Sequence, residues 1–312
     1  MRWHLWQYSL ICVVFLHFFN VVNADSRTKA DGNLDTGSSI NIKLPVQVCS
    51  ETWAPFYYEV PHKPGVKEEN KQTTSNVVGV NIDILEATAT QHQFEFQYRL
   101  MPTKRCLHNS QKFGHETRFE ITVDVTYSEE KAKEFYFVGP IYTLSRAIFY
   151  SEDEFPKGLF NPMSGGRLTT LREMKHFDVC EADGRVIKNY IEKHRHLDDE
   201  IISIHKSGLS SMILMLKHGR CEIMEIPAPI IAGSIAIGEI TLPNNIACQP
   251  LNEDDVSFYF LISKRSPRAE QLVTAINQSL IRLKQSGLYD DIVKRYYDKL
   301  HAKNSRSITS CF

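Results

Sequence analysis

VVGVNIDILEATATQHQ, residues 77–93, places apolar side chains at helical spacing directly after a glycine. Ile82, Leu85 and Ala89 would share one face of this helix, as in a helix that packs on a sheet. The next stretch, FEFQYRL (94–100), alternates apolar and polar residues as a half-buried strand does. A helix followed at once by such a strand predicts a strand–helix–strand unit with parallel strands.

Strand and helix patterns alternate along the rest of the chain. Further strands are predicted at residues 44–50, 118–127, 135–142, 146–154, 177–180, 201–205 and 256–264, and at the end of the segment 207–227. Further helices are predicted in the segments 101–114, 171–195, 207–227 and 267–300. This order predicts an α/β protein with two units, each built on a mixed, mostly parallel sheet. Two such units that face each other would enclose a ligand cleft between them.

The N-terminal 24 residues differ in kind from the rest of the chain. Arg2 is the only lysine or arginine among them, they contain no acid, and their apolar run spans residues 10–19. A Val-Asn-Ala tripeptide follows, with the small or short residues typical of a cleavage site. We therefore expect a signal peptide (1–24), then a flexible leader (25–40) and a soluble mature protein. An uncleaved anchor is the alternative, but the apolar run is short for a span of about 20 residues.

The bulk composition excludes some classes of partner. Hydrophobic residues make up 42% of the 312 residues and charged residues 23%, as in an ordinary globular protein, and the net charge is −1. Nucleic acids and anionic membranes need a basic surface, so neither is an expected partner. The chain shows no GxSxG, HExxH or P-loop motif. We accordingly predict neither a cofactor nor a metal.

Cysteine usage fits export to an oxidising compartment. Beyond the predicted signal peptide the chain has six cysteines: Cys49, Cys106, Cys180, Cys221, Cys248 and Cys311. Six cysteines allow about 15 complete pairings, and the sequence does not choose among them.

Four segments carry a resemblance to a known family. They are an aromatic-proline turn, a glycine-led helix start, a charged turn before an aromatic strand, and a C-terminal helix: ETWAPFYYE (51–59), VGVNIDIL (78–85), TYSEEKAKEFYFVGPIY (126–142) and SGLYDDIVKRYY (286–297). In this order, from about Val46 to Leu300, the chain resembles the family 3 extracellular solute-binding proteins. These are the periplasmic binding components of polar amino-acid ABC importers.

The resemblance implies a type II periplasmic-binding-protein-like fold with two lobes. The first lobe would comprise residues 41–146 and 255–312, and the second residues 147–254. The implied protein is a periplasmic monomer that captures a small polar or anionic solute, such as an amino acid or derivative. It would close around the solute by a hinge motion and deliver it to an ABC permease, without catalysis.

Three first-lobe residues are candidates on chemical grounds. Trp53 and Phe56 follow the first strand, where aromatic rings would stack on a ligand; the alternative is that they belong to the core. Arg105 lies near the end of the strand at 94–100, where its guanidinium would hold a carboxylate with two hydrogen bonds. The alternative for Arg105 is a surface residue.

Two further candidates come from the resemblance. Thr126 and Lys131 match positions where amino-acid-binding members of the family place a hydroxyl and an arginine that binds the ligand carboxylate. A lysine offers a point charge without the planar fork of arginine, so ordinary amino-acid recognition would be altered here. Alternatively, Lys131 belongs to a solvated charged face together with its acidic neighbours Glu129 and Glu130.

In the second lobe, the resemblance points to the turn after the strand at 177–180. Gly184 and Arg185 occupy this turn, whose backbone N–H groups would bind a ligand carboxylate at a helix N-terminus. Family members place an acid for the ligand ammonium group near the end of the strand before Pro227. Glu225, two residues earlier on the same strand face, is the candidate substitute.

Two other functions remain open on the same fold. A ligand-sensing protein would report to a membrane receptor instead of a permease. A cyclohexadienyl-dehydratase-like enzyme would need an acid in the cleft, for which Glu51 and Glu225 are candidates.

Overall fold

The computed structural model describes residues 44–60, 76–114, 117–181, 204–206, 208–301 and 311, all within one compact unit, Asn41–Phe312. The predicted signal peptide and leader lie outside the described residues, as do Gly184 and Arg185. Among the described residues, no helix is both long enough and apolar enough to cross a membrane.

Strands and helices alternate in the described part of the chain, as the sequence predicts. The strands are β1 (Val46–Ser50), β2 (Tyr58–Glu59), β3 (Val77–Val78), β4 (Phe96–Leu100), β5 (Phe119–Thr126), β6 (Phe135–Leu144), β7 (Ala147–Ser151), β8 (Val179–Glu181), β9 (Ile204–Lys206), β10 (Ile223–Glu225), β11 (Ile246–Pro250) and β12 (Val256–Ser263). The α-helices are α1 (Val80–His92), α2 (Thr103–Gln111), α3 (Glu129–Glu134), α4 (Leu209–Lys217), α5 (Ala228–Ala236), α6 (Ala269–Ser286) and α7 (Leu288–His301). A 3₁₀ helix spans Leu171–His176.

Two five-stranded sheets organise these elements, which confirms the predicted two-lobed α/β fold. The first sheet has the order β4-β1-β5-β12-β6 and the second the order β11-β7-β10-β8-β9. We call the structure around the first sheet the first lobe and that around the second sheet the second lobe. The chain boundaries expected near residues 146 and 254 stay a prediction.

Both sheets are mixed, but they are less parallel than expected. In the first sheet β1 pairs in parallel with β4 and β5, whereas β12 is antiparallel to β5 and β6. In the second sheet β8 is parallel to β9 and β10, and β7 is antiparallel to β10 and β11. The returning strand explains this balance in the first sheet. Because β12 returns from the second lobe, it enters the first sheet at the end where β1 and β5 finish, and it therefore runs antiparallel to them.

Helices α1 and α6 cover the first sheet with apolar faces; on the predicted face of α1, Ile82 and Leu85 are buried and Ala89 is half-buried. Ile84, Leu85, Leu272 and Ile276 on these helices are fully buried. Burial of one such side chain contributes about 1.5–3 kcal/mol. Gly287, with φ 77°, ends α6 in the left-handed conformation, where a glycine carries no Cβ penalty.

Three disulfides resolve the pairing that the sequence left open. Cys49–Cys106 joins β1 to α2, and Cys180–Cys221 joins β8 to the segment before β10. Cys248–Cys311 joins β11 of the second sheet to a position ten residues beyond the end of α7. The C-terminal end of the chain is therefore covalently attached to the second sheet.

Replacement of Cys248 and Cys311 together by serine should lower the free energy of unfolding. The bridge closes a sequence separation of 63 residues, and the loss of such a cross-link costs about 4 kcal/mol through the unfolded chain. Urea unfolding of both proteins without reductant measures the difference. Equal unfolding free energies would show that this bridge does not contribute to stability.

Candidate functional site

A cavity of about 860 Å³ lies between residues of the two lobes. The first lobe supplies residues that follow β1, residues at the end of β4, and one side of α2. The second lobe supplies the start of α4 and one acid after α5. The lining residues are Glu51, Thr52, Trp53, Leu100, Met101, Pro102, Lys104, Arg105, His108, Gly208, Leu209, Met212 and Glu239.

The position of the cavity follows from strand direction. Strands β1 and β4 are parallel and both end at it, and α4 begins there, three residues after the end of β9. In open α/β sheets ligands bind beyond the carboxyl ends of parallel strands. The cleft that the sequence predicts between two α/β units is therefore present.

A tight turn after β1 carries Trp53 to the cavity. The N–H of Trp53 donates to the Tyr57 carbonyl over 2.6 Å, and the N–H of Tyr57 donates back over 3.0 Å. The start of α1 fixes this turn: the N–H groups of Val80 and Asn81 donate to the carbonyls of Pro55 and Phe56 over 3.2 and 3.0 Å. Helix N–H groups that have no partner inside the helix are satisfied in this way.

Gly79 permits this contact between the helix and the turn. Its φ is 142°, and a Cβ built there would overlap the Phe56 carbonyl. Only glycine adopts such a conformation readily and lets another backbone approach so closely. Gly79, the glycine in VGVNIDIL, is therefore required for the contact that holds the turn carrying Trp53.

The turn separates the two aromatic candidates. Trp53 lines the cavity, although only 2% of its surface is exposed; its contact with a ligand stays a prediction. Phe56 is 1% exposed and stacks on Tyr142 with ring centroids 3.6 Å apart. Phe56 therefore belongs to the core, and its prediction as a ligand contact does not fit the structure. The reversal of the chain within the turn points the two rings to different sides.

Arg105 lines the cavity from α2, together with Lys104 and His108. The disulfide between Cys49 and Cys106 ties this helix to β1, so the residues just before Cys106 lie beside the end of that strand. The sequence pointed to Arg105 only because it follows the strand at 94–100 by a few residues.

Two acids lie among the other lining residues, Glu51 after β1 and Glu239 after α5. Burial raises the pKa of the Glu239 carboxyl, and the nearby charge of Glu51 raises it further, against a hydrogen bond from Ser234. The two carboxylates therefore interact although they belong to different lobes. The cavity combines this acidic pair with the basic groups of α2, so it presents both signs of charge to a ligand.

Lys131 and Thr126 are not among the described residues that line the cavity. Thr126 ends β5 opposite Phe258 of β12, and Lys131 lies on the short helix α3. Burial lowers the pKa of Lys131, while the charge of Glu130 opposes that shift. The sheet order explains the separation, because β1 and β4 form one side of the first sheet and α3 connects β5 to the opposite edge strand, β6.

Glu225 is also absent from the cavity wall in the described part of the chain. It forms an ion pair with Arg146, with 2.9 Å between Oε1 and Nη1. Its side chain is 10% exposed, and a carboxylate in such surroundings is stabilised by the partner charge. Glu225 thus links the end of β10 to Arg146, which directly precedes β7.

Sequence reasoning missed Lys104, His108 and Glu239 as cavity residues and gave Glu51 only as a candidate acid of an enzyme. For the first-lobe positions the sequence did contain a signal, because Glu51 lies two residues before Trp53, and Lys104 and His108 lie close to Arg105. Glu239 carried no comparable signal, because its place depends on how the second lobe faces the first.

Comparisons with known proteins agree with this architecture. The model of the bacterial extracellular solute-binding proteins, family 3, matches residues 61–299, and the chain belongs to this family. A sequence comparison with curated proteins finds no match.

Similar solved structures show the same fold. One is an amino acid ABC transporter substrate-binding protein from Streptococcus pneumoniae bound to L-arginine, with 19% identity, a TM-score of 0.60, and coverage of 84% of this chain and 96% of that chain. A histidine kinase sensor domain similar to periplasmic binding proteins has 14% identity, a TM-score of 0.59, and coverage of 81% and 96%. An ancestral amino-acid-binding protein, described as a precursor of cyclohexadienyl dehydratase, has 16% identity, a TM-score of 0.57, and coverage of 81% and 95%.

Gly79→Ala should destabilise the protein by about 2–4 kcal/mol, because the substitution adds both backbone strain and a steric overlap. Gly166→Ala is the matched control, since Gly166 lacks a positive φ and a Cβ there would meet only the Ser164 hydroxyl at 3.4 Å. Chemical denaturation compares the two variants with the parent protein. Equal stability of the two variants would contradict the role given to Gly79.

Proposed function

We propose that this protein captures a small polar solute that bears a carboxylate and a cationic group, such as an amino acid or derivative, in the cavity. Delivery to an ABC permease would follow. The observation that carries the proposal is the cavity itself, which both lobes line and which presents Arg105 and Lys104 as well as Glu51 and Glu239.

Each lining group has a matching ligand group. Arg105 provides a planar fork that can hold a carboxylate with two parallel hydrogen bonds. The carboxylates of Glu51 and Glu239 would hold the cationic group, and a bound cation would relieve their mutual repulsion. The indole of Trp53 provides an apolar wall for the rest of the solute.

Contact between the lobes beside Trp53 supports capture by closure. Helix α5 of the second lobe packs so tightly against the first lobe that a Cβ on Gly233 would overlap the Ala54 backbone. Ala54 follows Trp53 directly. A ligand that bridges the two lobes would favour this contact over a separated arrangement, which is how hinge closure sequesters a solute.

We further propose that the protein works in the periplasm after removal of residues 1–24. A sensor that reports to a membrane receptor is the second candidate, because a histidine kinase sensor domain shares the fold. Genes for a permease and an ATPase beside the gene of this protein would support import. A neighbouring sensor kinase gene would support sensing.

Intrinsic fluorescence offers a direct binding assay. Beyond residue 24 the chain has one tryptophan, Trp53, and it lines the cavity. Titration with polar amino acids should therefore change its emission when a ligand binds. Arg105→Gln should weaken the binding at least tenfold, about 1.4 kcal/mol, because the carboxylate loses its charged partner.

Lys112→Gln is the matched control for this variant. Lys112 follows the last turn of the same helix but is not among the described lining residues. Its variant should bind as the parent does. Equal affinities of the Arg105 and Lys112 variants would remove Arg105 from the proposed site.

Enzyme activity on this fold is the remaining alternative, since one similar structure is a precursor of cyclohexadienyl dehydratase. We expect no turnover of prephenate or arogenate by the purified protein, measured by the appearance of the aromatic product. Turnover that Glu51→Gln abolishes would replace the binding function by a dehydratase.

A further inference from the structure

A polar cluster lies inside the first lobe, close to the turn that carries Trp53. Its centre is Asp124 of β5, whose Oδ1 accepts from the Asn81 amide and from the Tyr142 hydroxyl, each over 2.5 Å. Its Oδ2 accepts from the Ser50 hydroxyl over 3.1 Å. Three donors from β1, α1 and β6 thus converge on one carboxyl group that does not line the cavity.

The backbone at Asp124 is unusual as well. Its φ is 62°, in the left-handed region, which an aspartate tolerates better than most residues. This conformation in the middle of a strand aims the side chain at the three donors. A residue held in a rare conformation at such a position suggests a functional constraint.

Tyr142 connects this carboxyl group to Trp53. The Tyr142 ring stacks between Phe56 and Phe258, with centroid distances of 3.6 and 4.9 Å. Trp53 packs on the same Phe258 ring at 5.9 Å. Burial and the Asp124 carboxylate raise the pKa of the Tyr142 hydroxyl, so this hydroxyl keeps its proton and donates it to Asp124.

The direction of these hydrogen bonds depends on Asp124. A tyrosine hydroxyl has one proton, and Tyr142 donates it to Asp124 while Asp124 is a charged carboxylate. A protonated Asp124 would instead compete as a donor, and the Tyr142 proton would turn elsewhere.

We propose that Asp124 is a positioning residue that sets the orientation of Trp53 at the cavity through Tyr142. Asp124 touches no ligand itself. It acts by holding the Tyr142 hydroxyl, and with it the Tyr142 ring, which stacks on the Phe258 ring that Trp53 contacts. The proposal uses the proposed function only in taking the cavity as the ligand site.

The surroundings of Asp124 place its titration in an accessible range. Burial raises its pKa to about 7, and the charge of Glu51 adds to this, against the hydrogen bonds from Tyr142, Asn81 and Ser50. Tyr57 is a further titratable group that interacts with Asp124, and burial raises the pKa of that hydroxyl above its usual range. Between pH 6 and pH 8 (roughly one unit either side) Asp124 would thus change from mostly neutral to mostly charged.

The test is the emission of Trp53 in the ligand-free protein from residue 25 onward, recorded between about pH 5 and pH 9. The parent protein should show a transition with a midpoint near pH 7. Asp124→Asn should abolish it, because an amide does not titrate, while asparagine accepts the left-handed backbone equally well. Tyr142→Phe should also abolish it, since it keeps the stacked ring and removes only the hydroxyl.

Two control variants test whether the pH transition arises from the cluster around Asp124. Ser50→Ala removes a donor that stabilises the charged carboxyl, so the transition should persist with its midpoint moved to higher pH. His108→Gln should leave the transition in place, because His108 lines the cavity from α2 and lies outside the cluster formed by Asp124, Asn81, Tyr142 and Ser50. A transition that persists in Asp124→Asn, or that disappears in His108→Gln, would overturn the proposal.

Ligand binding distinguishes this proposal from the proposed function. If a solute is found, Tyr142→Phe should weaken its binding about threefold to tenfold at pH 8 and leave the circular dichroism spectrum unchanged. Unchanged affinity would contradict the positioning role even if the solute binds at the cavity. Conversely, the ligand-free titration tests Asp124 even if no solute is found.

Discussion

The site depends on one backbone contact, between the turn at residues 53–57 and the start of α1. Gly79 allows the helix to approach so closely that its first N–H groups bind the carbonyls of Pro55 and Phe56. That contact sends Phe56 into the core and Trp53 to the cavity. It also holds Ala54 where the second-lobe helix α5 packs on it. A shift of this turn would disturb the core, the cavity wall and the contact between the lobes together.

Charge is distributed over the cavity in a way that suits a ligand with two opposite charges. The basic groups belong to one helix of the first lobe, which the Cys49–Cys106 disulfide fixes to β1. The acids come from both lobes, and the charge of Glu51 adds to the effect of burial in raising the pKa of Glu239. An empty cleft would keep these acids in mutual repulsion, whereas a bound cation would relieve it. Because Glu51 and Glu239 come from different lobes, a cationic ligand group between them would favour the closed arrangement of the lobes.

Much of the fold could be predicted from the sequence because its signals are local. Helical spacing at Ile82 and Leu85, the glycine before them and the alternating strands are short-range patterns that the structure reproduces. The cavity residues depend on the lateral order of strands, which no local pattern contains. Lys131 therefore lies on α3 just before β6 and is not among the described lining residues, whereas Arg105 lies beside β1. The side to which Phe56 points and the three disulfide pairs depend on the same long-range packing.

The most direct test of the account is a thermal-unfolding screen of the protein from residue 25 onward against amino acids, organic acids and polyamines. A solute at about 100 times its dissociation constant stabilises the folded state by about 2.7 kcal/mol. For a chain of this size that corresponds to a rise of roughly 5–10 °C in Tm. The account predicts such a rise with a solute that carries both a carboxylate and a cationic group, and its loss in Arg105→Gln. A rise with organic acids alone, or an undiminished rise in Arg105→Gln, would contradict it.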